Sequence, residues 1–279
     1  MATLDLSHIN AGYLEAGQFC EKIHDVSISV RKGEIVGITG PSGSGKSTII
    51  KTVLAQTAIR SGIISFEDHE VNVSNLKDYR KNVVYVPQNS LDSLDFLWTV
   101  RDQVKKVMKQ HGLEYSDSEL ENSADLVEID KSVLDRRSFE ISYGTRHKVV
   151  LLMALSAAPK AKLVIMDEPT TSQDSVSSLS LLKTIKNIAE SQKISFIVAS
   201  SNPEPVFYLS DNVYVIYGGW IIENGIPSEI VRKSFHPYTE MMIRYLPSYV
   251  SRSVSPVEML LNEETQGCPF YGYCDRRIE

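Results

Sequence analysis

The sequence is short of basic charge: 29 Lys and Arg stand against 35 Asp and Glu, giving a formal net charge of -6. A nucleic-acid surface needs Lys and Arg in excess, so a nucleic-acid partner is not expected. Long coiled-coil heptads are missing as well. The most apolar stretch, residues 149–158, falls well below the roughly 20 residues that a bilayer requires. The amino terminus, Met1-Ala2-Thr3-Leu4-Asp5, has neither the basic stretch nor the apolar core of a leader. These absences predict a chain made and kept in the cytosol. Cysteine is scarce and odd in number (Cys20, Cys268, Cys274), which argues against a disulfide framework, and Cys20 reads as a buried apolar residue. No internal repeat or low-complexity tract is present. The 279 residues can bury the core of one large α/β domain with a smaller inserted or appended part.

What is present begins with Gly40-Pro41-Ser42-Gly43-Ser44-Gly45-Lys46-Ser47-Thr48, a match to the phosphate-loop pattern G-x-x-x-x-G-K-[ST]. The apolar run Ile35-Val36-Gly37-Ile38-Thr39 reads as the preceding strand, and Ile49-Ile50-Lys51-Thr52-Val53-Leu54 continues as a helix. Glycines let successive N–H groups turn toward phosphate oxygens, and the helix adds its positive end. Lys46 is then expected to reach the β and γ phosphates of a nucleoside triphosphate, with Ser47 offering a hydroxyl to Mg²⁺.

Period-two apolar positions at Leu4, Leu6 and Ile9, and again at Val26, Ile28 and Val30, predict a small antiparallel sheet ahead of that loop. After the loop come the strand Val83-Val84-Tyr85-Val86 and then Pro87-Gln88. From about residue 89 to 160 the pattern is helical, with helices predicted over 100–110 and 119–127. The unbroken run Leu163-Val164-Ile165-Met166 reads as a central parallel strand, and Asp167-Glu168 stand at its carboxyl end, where ligands bind in such sheets. Two adjacent acids there are costly unless a cation or proton chemistry uses them. A helix over 176–190, a strand over 194–198 and a hairpin turning at Gly218-Gly219 follow, with Asn224-Gly225 as a further turn and a helical tail beyond Pro227.

In this order the elements resemble the ATP-binding subunit of an ABC transporter, over about residues 4–274. The resemblance implies an α/β fold: a P-loop NTPase core of mostly parallel sheet flanked by helices, an N-terminal antiparallel β-subdomain and a helical insertion, together spanning residues 1–235. A C-terminal extension covers 236–279. It implies ATP and Mg²⁺ as ligands. It also implies that Tyr13 stacks on adenine, with Phe19 as the other candidate, and that Gln88 is the Q-loop glutamine touching Mg²⁺ or the attacking water. In the same scheme Asp167 helps hold Mg²⁺, Glu168 polarises the water, and residues 169–174 form the D-loop, with Gln173 where leucine is usual.

Two departures stand out. The family signature LSGGQ is replaced by Ile141-Ser142-Tyr143-Gly144-Thr145. Ser142 and Gly144 keep the positions that contact the γ phosphate held by the opposite subunit, while Tyr143 takes the first glycine's place. Ser201 occupies the position of the switch histidine, whose task a short, non-basic hydroxyl performs poorly. The chain's own site is therefore expected to bind ATP better than it hydrolyses it. The expected assembly is a heterodimer with a second ABC ATPase subunit whose intact elements supply most turnover.

The tail motifs His236-Pro237-Tyr238-Thr239 and Gly267-Cys268-Pro269-Phe270-Tyr271-Gly272-Tyr273-Cys274 resemble the oligopeptide, dipeptide and nickel importer ATPases. That subgroup implies two transmembrane permease subunits, an extracytoplasmic solute-binding protein and a peripheral place on the cytoplasmic face of the membrane. An iron-sulfur cluster is not expected, since ligation normally wants four thiolates. The competing reading is a soluble ABC-type regulatory or assembly protein that binds ATP and hydrolyses little. The altered signature and absent histidine favour it; the Q-loop, helical insertion and importer-type tail oppose it.

Overall fold

The computed structural model describes residues 2–88, 94–157, 161–171, 174–244, 246 and 267–276. Strands β1 (Ala2–Glu15), β2 (Gln18–Arg31), β4 (Ala58–Phe66) and β5 (His69–Glu70) form an antiparallel sheet in the order β2-β1-β4-β5. Two of its four strands therefore lie after the phosphate loop rather than before it, which extends the expected N-terminal sheet. The 58–66 segment is hard to read as a strand because Gly62 interrupts it at φ 98° and Ile59 and Ile63 face solvent.

The second sheet runs β10-β9-β3-β8-β7-β6, built from β3 (Ile35–Thr39), β6 (Val83–Val86), β7 (Leu163–Asp167), β8 (Ser195–Ser200), β9 (Asn212–Tyr217) and β10 (Trp220–Gly225). All neighbours are parallel except the β9–β10 hairpin. Its inner strands β3, β7 and β8 are buried at every position, as sheets covered on both faces require. Asn224 and Gly225 belong to β10 rather than to a turn.

Helix α1 (Lys46–Val53) and the antiparallel sheet cover one face of the second sheet through Ile28, Ile38, Ile49 and Ile165. Helix α2 (Leu76–Lys81) adds Tyr79 to the same core. Between β6 and β7 the α-helices of the described residues are α3 (Val100–Gln110), α4 (Asp117–Leu126) and α5 (Tyr143–Ala157). Val100, Val104 and Met108, four apart, turn the inner face of α3 into the core, and Thr99 caps the helix by accepting from the Asp102 N–H at 3.1 Å. Helix α6 (Ser175–Gln192) contributes Leu181, Ile185 and Ile188 to that core, and Asp174 caps its start by accepting from the Val176 and Ser177 N–H groups.

After β8 come α7 (Pro203–Leu209), α8 (Pro227–Arg232) and α9 (Pro237–Arg244). The tail segment returns to this end of the molecule. Phe270 is buried against Tyr217 and Tyr238, with ring centroids 5.4 and 5.8 Å away, a burial worth roughly 1.5–3 kcal/mol. Pro269 packs directly on Gly218, and the next residue, Gly219, donates its N–H to the Ser44 carbonyl at 2.9 Å. Cys20 is half-buried on β2 opposite Tyr13, not in the core as expected.

Candidate nucleotide site

The site grows from the carboxyl ends of β3 and β7. At the end of β3 the chain must turn beside β9, where a Cβ on Gly40 would lie 2.0 Å from the Ile216 carbonyl oxygen. Only glycine fits there. The turn continues through exposed Ser42 and Gly43 and buried Ser44, and Gly45 at φ 110° starts α1. Lys46 is buried, and its Nζ donates to the Gly40 and Pro41 carbonyls at 2.8 and 3.0 Å. Burial holds its pKa below the ordinary lysine value, and the charges of Glu168 and Asp167 oppose that shift. Ser47 is exposed at the first turn, and Thr48 is buried behind it.

Tyr13 reaches this turn from β1: its hydroxyl donates to Thr48 Oγ1 at 3.3 Å, and Lys51 Nζ lies 5.3 Å from its ring centroid. Phe19, its rival as the adenine platform, pairs with Leu14 in the β1–β2 hairpin. Gln88 is exposed in the turn after β6.

At the tip of β7 the two acids are driven in opposite directions. Burial and then the charge of Glu168 raise the Asp167 pKa, with Lys46, a hydrogen bond from the Tyr85 hydroxyl and Lys51 acting against them. Burial alone would also raise Glu168. Side-chain donors Ser200 and Ser201, the Ser201 N–H and the Lys46 charge outweigh it, so its pKa falls below the usual glutamate value. Glu168 has a left-handed backbone, φ 50°, and its N–H donates to the Ala199 carbonyl on β8 at 2.8 Å.

Ser201 thus does have a contact in the site: its N–H and hydroxyl donate to Glu168 Oε1 at 2.6 and 2.7 Å. Three partners were not singled out from the sequence. Tyr85 bonds Asp167, Ser200 donates to Glu168 Oε2 at 2.7 Å, and Thr171 donates to the same oxygen at 3.2 Å. Tyr85 had a readable signal, because alternation along β6 turns it away from the Val84–Val86 face; Ser200 and Thr171 had none.

Ser142 and Gly144 form a separate cluster at the start of α5. The Ser142 hydroxyl lies 2.8 Å from Thr145 Oγ1 and accepts from the Thr145 N–H at 3.2 Å, the geometry of a helix cap. Gly144 faces α6, where an added Cβ would lie 2.6 Å from Ser177 Oγ. Tyr143 is exposed and meets the His147 ring edge-on at 5.0 Å. Gln173 lies outside the described residues.

The Ser47 hydroxyl, the Asp167 carboxylate and the Gln88 amide oxygen are the hard oxygen donors that Mg²⁺ takes, and the charges of both acids act on the buried Lys46 ammonium. This donor set fits a magnesium-bound triphosphate. Among the described residues no helix is long and apolar enough to cross a membrane.

Known proteins resemble the chain throughout. The oligopeptide transport ATP-binding protein OppD of Lactococcus lactis subsp. cremoris is 28% identical over 261 residues, covering 88% of this chain and 76% of the relative. The probable D,D-dipeptide transport ATP-binding protein DdpD of Escherichia coli is 27% identical over 290 residues, covering 97% and 88%. The solved structure of cbiO1 from Clostridium perfringens, part of the ABC transporter complex cbiONQ, shares the fold with a TM-score of 0.74 at 21% identity, covering 83% of this chain and 91% of that one. The sequence model described as ABC transporter matches residues 23–171, more than half of the chain, so the protein belongs to the ABC transporter family and is an ATPase of that kind.

Proposed function

We propose that the chain is the ATP-binding subunit of an importer for peptides or a related solute, and that it is the slower half of an ATPase heterodimer. The observation that carries the asymmetry is Ser201 at the position of the switch histidine, engaged with Glu168. The names of the relatives, oligopeptide and dipeptide transport ATP-binding proteins, support the solute class. In this reading residues 1–235 are the ATPase domain, with its helical insertion over about 89–160, and 236–279 an importer-type extension.

The roles follow from position. The backbone of residues 40–48 cradles the phosphates, Lys46 leaves the Gly40 and Pro41 carbonyls for the β and γ oxygens, and Tyr13 carries the adenine. Ser47, Asp167 and Gln88 would hold Mg²⁺, which when bound would neutralise charge on the phosphate oxygens. Glu168 accepts a proton from the attacking water. Ser142 and Gly144 complete the partner ATPase's site. Exposed Phe96, Leu97 and Trp98, just past Gln88, offer a face to the two permease subunits, with Lys106 Nζ 4.5 Å over the Trp98 ring. A solute-binding protein outside the membrane would deliver the cargo, and this chain would sit on the cytoplasmic face.

The test is Glu168→Gln in the assembled complex. A minor loss of ATPase and transport is expected, whereas near-complete loss overturns the asymmetry. The second reading, a soluble regulator, is favoured by the same saturated Glu168. Recovery of the chain from detergent-solubilised membranes without multi-span proteins would decide for it.

A further inference from the structure

The register of the second sheet pairs Asp167 with Ala199, so Glu168 and Ser200 leave β7 and β8 side by side. Ser200 is 1% exposed, and its hydroxyl is fixed from both directions: it accepts from the Asn202 N–H at 3.1 Å and donates to Glu168 Oε2 at 2.7 Å. Thr171 donates to the same oxygen, and Ser201 donates twice to Oε1. A carboxylate offers about four lone-pair directions, and four donors here take them all.

We propose that Ser200 is a positioning residue that, with Ser201 and Thr171, latches the Glu168 carboxylate in an acceptor-saturated state, so that it receives a water only after a donor lets go. The inference rests on the reading of Glu168 as the group that activates water. It gives slow turnover a second cause beside the missing histidine. Among the donors Ser200 is the persistent one: it is buried and held by Asn202, whereas Ser201 and Thr171 are exposed. Freeing one lone pair therefore makes the site faster, the reverse of what loss of a merely structural serine does.

The amide measurement uses the purified full chain, and the kinetic measurements use the assembled complex with the partner ATPase's own site inactivated. In the nucleotide-free protein the Ser201 amide proton, donating at 2.6 Å, is expected far downfield by NMR, and Glu168→Ala should return it to the ordinary range. An ordinary shift in the wild type overturns the latch without any nucleotide present. With Mg-ATP in single turnover, Ser200→Ala should raise the hydrolysis rate about threefold to tenfold, a fraction of the roughly 100-fold that a positioned general base supplies at the least. Its affinity for Mg-ATP by calorimetry should be unchanged. Ser200→Thr should return the slow rate, and Thr171→Val, at an exposed position, should accelerate turnover by a smaller factor. Ser200→Ala in a Glu168→Gln background should change nothing. A Ser200→Ala rate no higher than wild type, zero included, in protein that melts cooperatively overturns the proposal, as does equal acceleration in the Glu168→Gln background. Absence of Mg-ATP binding by the wild type instead overturns the function proposed above, and leaves the amide measurement to judge the latch alone.

Discussion

The phosphate loop and the signature segment both place a glycine where two elements meet, yet their glycines answer to different neighbours. Gly40 faces a backbone oxygen of β9, a strand paired on both sides, to β10 and to β3. Gly144 faces the side chain of Ser177 on the first turn of α6. The loop read as gripping the chain's own nucleotide is held by main chain, and the segment read as serving a partner's nucleotide is held by a side chain. The first is therefore intolerant of change, while the second has room to give.

The sharpest way to break this contrast is Gly40→Ala, for which we expect a loss of more than about 3 kcal/mol or no folded protein, at the upper end of overpacking costs. Denaturant unfolding measures it; a loss below about 1 kcal/mol would remove the contrast. Next is Lys46→Ala, which deletes the charged donor and should weaken Mg-ATP binding about 100-fold by calorimetry, near the upper bound for charge-assisted hydrogen bonds. Unfolding of the nucleotide-free chain should change far less, because Lys46 is costly to bury.

Gly144→Ala should cost about 1–2 kcal/mol as a side-chain clash. Ser177→Gly in the same chain should restore most of it, a rescue that has no counterpart for Gly40. The smallest effect is on the tail. His236 Nδ1 accepts from the Tyr238 N–H at 3.2 Å, so the docked ring is unprotonated there, and burial holds its pKa below the ordinary histidine value against the pull of Glu223. A depressed folded-state pKa means stability that is present at neutral pH and lost as pH falls through that value. Protection against hydrogen exchange in residues 267–276, taken relative to the intrinsic rate at each pH, should fall on acidification below the ordinary histidine range while residues 35–39 stay protected.

Much of this was legible in the sequence. The α3 boundaries match the 100–110 periodicity, and the β7 run ending in Asp167 reads from the unbroken apolar stretch, because both signals are local. What escaped was relational. Ser200 and Glu168 are 32 residues apart and meet only through β7–β8 pairing, and β4 joins β1 across the phosphate loop and α1. Side chains brought together by sheet register carry no mark of it in sequence. Ser201 shows the gap most directly: its identity was read as a histidine replaced, and only geometry revealed the carboxylate that it holds.

The described carboxyl-terminal segment reaches the glycine-rich loop through one short relay. Pro269 rests on Gly218, and the adjoining peptide grips the Ser44 carbonyl. Removing residues 267–276 would thus strip the Gly218-Gly219 turn of its cover and uncover the Tyr217 ring, making this short segment a determinant of how firmly the turn around Ser44 is set.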